Sequence, residues 1–216
     1  MTWKPSSMMM RGLRAWATAV LLVATGLILG GTAYGASSTA PAPCSPGSPT
    51  AQVGTVILAG NCWLNGQGVN VYSNGSVDGS GPYQCVDLVV RLYQAHGWIA
   101  GSWPSAHGDQ MWDVHPSGLS DQANGGVTYL DPGDAISIEV REPDGSLEPG
   151  GHVAVVDTVT TMGNGNGNYA IELVNQNAAS VLSTATWNSN TETISLPASG
   201  SWTYPVNGVV HAPIGS

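Results

Sequence analysis

Apolar residues recur along this chain with two different periods, and the change from one to the other divides it. Cys85, Leu88, Val89, Leu92 and Tyr93 stand at i, i+3, i+4, i+7 and i+8, which places them on one face of a helix. Ser80-Gly81-Pro82 ahead and His96-Gly97 behind supply its entry and exit signals. From Asp131 onward the period becomes two and β-branched residues dominate. The segments 135–140, 152–160, 169–175, 181–186, 192–196 and 207–211 read as strands, separated by Gly, Asn, Asp and Pro. Asp131-Pro132-Gly133-Asp134 and 163–168 are turn signals. Earlier, 52–59 predicts a strand, 60–82 a Gly-, Asn- and Ser-rich loop with an extended piece at 69–72, and 108–114 a second short helix. A helix followed by an antiparallel sheet is an α+β layout.

The first 35 residues have a different pattern. Lys4, Arg11 and Arg14 precede an apolar run of about 17 residues from Ala15 to Gly31, and Ala33-Tyr34-Gly35 offers small residues ahead of Ala36. This is the pattern of a secretory signal peptide at 1–35; an uncleaved membrane anchor is the competing reading, since the run approaches a short span. A Ser-, Pro- and Ala-rich leader at 36–52 follows, and 53–216 is one domain's worth of chain. Removing the signal leaves only Arg91 and Arg141 against 14 acids, a balance of −12. Such a chain lacks the clustered cations that nucleic acid requires, and long-range attraction to an anionic polymer or lipid is equally excluded. Stable membrane association after signal cleavage is not expected, and a monomer is.

Three cysteines, Cys44, Cys62 and Cys85, leave one thiol over if two pair in an exported protein. Pairing Cys44 with Cys62 would pin the leader to the domain and leave Cys85 free. Pairing Cys62 with Cys85 would make Cys85 structural. A free Cys85 lies in the first helical turn, where the dipole and unpaired N–H groups favour a thiolate. Strand alternation puts His152 on one face of its strand and Asn175 and Asn177 on one face of the next. If these strands pair through the 163–168 turn, Asn175 accepts the Nδ1–H of His152 and Nε2 faces Cys85. That is nucleophile, base and orienter.

Four motifs in order, Gln84-Cys85-x-Asp87-Leu88, Pro132-Gly133-Asp134-Ala135, Gly151-His152-Val153-Ala154-Val155-Val156 and Asn175-Gln176-Asn177, resemble the CHAP domain family (cysteine, histidine-dependent amidohydrolase/peptidase). Gly108-Asp109-Gln110-Met111-Trp112 is similar to that family's stretch between helix and sheet, and the likeness spans roughly 61–177. The resemblance implies a papain-like fold, with an N-terminal helix carrying the Cys packed on an antiparallel sheet carrying the His. It also implies a cell-wall peptidoglycan amidase or endopeptidase, cutting between muramic acid and the stem peptide or within the peptide. Cys85 is then nucleophile and His152 base, with Gln84 and the Cys85 N–H holding the oxyanion. The family's third site usually reads Glu-x-Asn; here it is Asn175-x-Asn177, which keeps an acceptor but removes a negative charge and leaves two candidates for the orienter.

Some relatives of that family bind calcium ahead of the helix. Asn74, Ser76 and Asp78 alternate there and Asp87 follows the thiol, so oxygen donors suited to calcium stand beside a competing reading as a solvated turn. No cofactor is otherwise required. His96 and His211 read as element ends, and His107 and His115 lack a third partner for a metal. Of Trp63, Trp98, Trp103, Trp112, Trp187 and Trp202, most belong to a core and one or two to a groove. The NlpC-type wall peptidases carry Asp-Cys-Ser-Gly at the nucleophile, which Gln84-Cys85-Val86-Asp87 does not match. A non-catalytic CHAP-like module that binds wall fragments or a partner is the alternative from another class.

Overall fold

A computed structural model describes residues 44–77, 80–105, 107–163 and 165–213. The expected signal at 1–35 and the first part of the leader lie outside the described residues. In chain order the elements are β1 (Val56–Leu58), β2 (Val71–Tyr72), α1 (Cys85–Ala95), β3 (Ser120–Ala123), β4 (Ala135–Ile138), β5 (His152–Thr161), β6 (Asn168–Val174), β7 (Leu182–Asn188), β8 (Thr193–Ser195) and β9 (Val206–His211). The architecture is α+β. β1 and β2 form a small antiparallel pair, and the remaining strands form a seven-stranded antiparallel sheet in the order β3-β9-β4-β5-β6-β7-β8.

The helix forms where its apolar stripe predicts. Cys85, Leu88, Val89, Leu92 and Tyr93 are all buried, against Ala135, Val153, Val155, Val174 and Val210 of the sheet. Alternate residues of the same strands, Ile136, Ala154, Val156, Leu173 and Val209, build a second core with Val127, Leu130 and Trp187. Both faces of the central strands are therefore buried, and each buried Val, Leu or Ile contributes about 1.5–3 kcal/mol of transfer free energy. The second core is enclosed because the sheet curls. Past β3, the Asn124 side chain donates to Ile194 O at 3.1 Å and accepts Ile194 N–H at 2.7 Å. Gly125 and Val127 N–H both donate to Glu192 O at 3.0 Å. The chain beyond one edge strand thus meets the opposite edge.

Three expectations change. The strand predicted over 52–59 shrinks to β1, because Gly54 turns the chain with φ 82°. The helix predicted over 108–114 is only a 3₁₀ turn, Gly108–Gln110. β3 was not expected: Ser-Asp-Gln-Ala has no β-branched residue, and its mostly exposed edge position needs none. Cys44 and Cys62 form a disulfide with Cα atoms 5.1 Å apart. From Cys44 the expected leader is fastened to the domain, with Gly47 N–H on Ile57 O at 2.7 Å and the Ser73 hydroxyl on Pro49 and Ala51 carbonyls at 2.7 Å. Among the described residues no helix is long and apolar enough to cross a membrane.

Candidate functional site

Gln84 is the N-cap of α1, and the Asp87 carboxylate accepts its backbone N–H at 3.0 Å, closing a capping box. Cys85 is consequently the first helical residue, and its thiol is free and buried. Burial pushes that thiol up. The hydrogen bond and charge of His152 and the N–H groups of Val153 and Val86 more than offset this, so its pKa falls below the ordinary cysteine value. The reciprocal holds for His152. Burial alone would lower its pKa, but the Cys85 thiolate, the Asn175 side chain and the charge of Glu148 raise it above the ordinary value. Each of the two groups thus favours the charged form of the other.

His152 opens β5 opposite Ile138, and its backbone is packed from below by the 108–110 turn. A side chain at Gly108 would lie 2.6 Å from the His152 carbonyl carbon, and Gly108 N–H donates to Gly150 O at 2.8 Å. Gly151 has φ 51°, and a Cβ there would meet Asp109 at 2.5 Å and Ile138 O at 2.6 Å. Gly150-Gly151-His152 is therefore a close-approach motif that sets the histidine's height over the helix.

Asn175 follows β6, buried, and its Oδ1 lies 3.1 Å from His152 Nε2. Its Nδ2 donates to Ser183 Oγ at 2.9 Å, which holds the amide with oxygen toward the imidazole. Nε2 must then carry a hydrogen, leaving Nδ1 for the thiol. This corrects the expected use of the ring, which had Nδ1 on Asn175 and Nε2 on Cys85. The reason is reach: Val153 N–H acts on the same thiol, so the sulfur sits close to the β5 backbone and meets the ring nitrogen nearer that backbone.

Of the two candidate orienters, Asn175 is the one on the imidazole. Asn177, with φ 53°, turns the other way; its Nδ2 donates to Gln84 Oε1 at 2.7 Å and its Oδ1 accepts from Asn74 at 3.3 Å. The Gln84 amide is also placed differently from the expectation that it faces an oxyanion. Its Nε2 donates to Ser80 O at 3.0 Å and Gly81 O at 2.9 Å, so both hydrogens are spent on the loop before the helix.

Two of the expected calcium donors are engaged within the chain. Asp87 caps the helix, Asn74 Oδ1 accepts Tyr83 N–H at 3.0 Å, and Asp78 lies outside the described residues. No group of three His, Cys, Asp or Glu able to hold a metal occurs among the described residues. His96 bonds Gln67 O at 2.9 Å and stacks on Trp98; His115 pairs with Asp121 at 3.0 Å; His107 is exposed. Trp63, Trp103 and Trp187 are buried.

Sequence reasoning passed over His211, read only as a strand end. It is buried, with Nδ1 2.9 Å from Asp134 Oδ2 and Nε2 3.1 Å from Gln122 Oε1. The Pro132-Gly133-Asp134 motif thus supplies a fully buried carboxylate that also accepts Asp131 and Ala212 N–H groups. Its distance in sequence from His211 hid the pairing. Comparison of the chain with models of protein families, with curated proteins and with solved structures finds no match.

Proposed function

We propose that this chain is a secreted cysteine hydrolase of papain-like fold, akin to the CHAP family, that cuts amide bonds in peptidoglycan. The observation that carries the reading is the continuous line from the Cys85 thiol through His152 to Asn175. In the reaction the Cys85 thiolate attacks the amide carbon, the C–S bond forms and the carbonyl electron pair moves to oxygen. That oxyanion meets the Cys85 N–H at the helix N-terminus. The imidazolium gives its Nδ1 proton to the leaving amine as the C–N bond breaks, leaving a thioester. Water then adds while the imidazole takes its proton, and the carboxylate product leaves Cys85 to repeat the cycle. Asn175 keeps the ring in one tautomer throughout.

The ordered motifs around this line and the expected export signal support a wall peptide as substrate and a secreted or wall-associated location, reached through local contacts because the acidic surface gives no long-range attraction to an anionic polymer. One observation favours the alternative of a module that binds wall fragments without turnover: the Gln84 amide, spent on Ser80 and Gly81, is not free to serve an oxyanion. Release of peptidoglycan fragments decides between them. The mature chain is expected to solubilise wall material, and Cys85→Ala or His152→Ala to lower the rate by at least about 10³-fold. New muramic-acid ends on the fragments, read by mass spectrometry, mean amidase, and new peptide ends mean endopeptidase. Binding without release by the wild type selects the module, and full activity in Cys85→Ala removes the mechanism.

A further inference from the structure

Gln176 has no exposed surface, and its amide is shared among three residues, on β2, on α1 and at the N-cap of α1. Its Oε1 accepts the Tyr72 N–H at 3.0 Å and an Nη2 hydrogen of Arg91 at 2.8 Å, the second bond charge-assisted. Its Nε2 donates to the backbone carbonyl of Gln84 at 2.8 Å. That carbonyl and the Cys85 N–H belong to one planar trans peptide unit, in which C=O and N–H point opposite ways. Holding the oxygen therefore aims the hydrogen. Gln84 O also accepts Asp87 N–H at 3.1 Å, so it points down the helix. The Cys85 N–H points out past the first turn, where no intrahelical acceptor exists. A rotation of this peptide would swing the carbonyl oxygen toward the place where negative charge has to develop.

We propose that Gln176 is a positioning residue for the oxyanion hole: by gripping the Gln84 carbonyl it aims the Cys85 N–H at the developing oxyanion. The proposal rests on the thiol-hydrolase reading and divides the labour of three consecutive residues. Asn175 orients the base. Gln176 orients the peptide that receives the charge. Asn177 holds the Gln84 side chain. With the Gln84 amide spent elsewhere, the aim of this one backbone N–H carries more of the oxyanion stabilisation.

Gln176→Glu separates the role from simple packing. A carboxylate still accepts from Tyr72 and Arg91, but it offers no hydrogen to Gln84 O and repels it. Two reactions of Cys85 are then compared. Acylation by p-nitrophenyl acetate passes through a tetrahedral oxyanion, whereas alkylation by iodoacetamide displaces iodide with no oxyanion and reads only the thiolate. The expected result is acylation slowed about tenfold or more, below the 10²–10³-fold ceiling for losing a whole donor, with alkylation within about twofold when both are compared at a pH where the thiol is fully ionised. Should this variant not fold, Gln176→Met, similar in length and without a donor, is read the same way. Equal loss in both reactions, no loss in either, or failure of both variants to fold overturns the proposal and assigns Gln176 to the core. The parent reading fails separately. A wild type that is acylated but releases no wall fragments removes the hydrolase and leaves the Gln176 role intact, whereas one that is alkylated but never acylated removes both.

Discussion

One proton decides what Cys85 can do. Its thiol pKa is lowered and that of His152 raised, each chiefly by the other once burial is overcome. Thiolate and imidazolium therefore stabilise each other: loss of the Cys85 proton is drawn to lower pH and loss of the His152 proton to higher pH. Glu148 adds to the second of these effects, since its charge is among the causes that raise His152. It supplies, from the turn before β5, some of the negative charge that an asparagine at the third site does not. Glu148→Gln should move the titration of the His152 imidazole to lower pH, read from its ring C–H resonances against pH. An unmoved imidazole titration would mean that the Glu148 charge does not reach the ring. At this scale the sequence showed which residues meet, because alternation placed His152 and Asn175 on corresponding faces. It did not show which ring nitrogen does what, since that depends on how close the sulfur sits to the β5 backbone.

Elements place these residues through a few contacts without slack. α1 and β4 to β9 were readable because each carries its period over enough residues to bury one face or two. β3 was not, because a polar edge strand is defined by its partner β9 and by nothing in its own side chains. In place of the helix expected over 108–114 there is a 3₁₀ turn at Gly108–Gln110, which approaches β5 backbone to backbone. That approach is testable. In Gly108→Ala the new Cβ would stand 2.6 Å from the His152 carbonyl carbon and 2.7 Å from Val153 N, neither of which yields as a side-chain end does. The expected cost is about 1–3 kcal/mol by denaturant titration, accompanied by slower alkylation of Cys85 as His152 shifts. Gly101→Ala meets nothing within 4 Å and should change neither. Equal behaviour of the two variants would remove the turn from the positioning of the base.

The whole molecule is fastened far from its reactive thiol as well as near it. The disulfide pins the segment before β1, and at the far end of the sheet Asp134 ties the start of β4 to the end of β9 through His211. Neither tie was fully legible: three cysteines left two pairings open, and 77 residues separate the carboxylate from its imidazole. Gln122 Oε1 also accepts Thr128 N–H at 3.0 Å, which fixes it as an acceptor, so His211 donates from Nε2 and the Asp134 contact at Nδ1 shares a second proton. Burial pushes the Asp134 carboxyl up, and His211 with the surrounding N–H groups pulls it partly back, leaving it above the usual aspartate range. A raised folded-state carboxyl binds its proton where the unfolded chain has released it, so its contribution to stability is present at low pH and is lost as pH rises through the raised value. His211→Ala removes a partner that holds the carboxyl down and leaves a buried charge unpaired, a loss of about 3–5 kcal/mol at neutral pH. Acid should restore part of that loss, because protonating Asp134 removes the unpaired charge. The check is the denaturant midpoint of the variant from pH 7 to pH 5, expected to rise relative to wild type; a gap between the two that stays constant with pH would show that Asp134 and His211 are not coupled through charge.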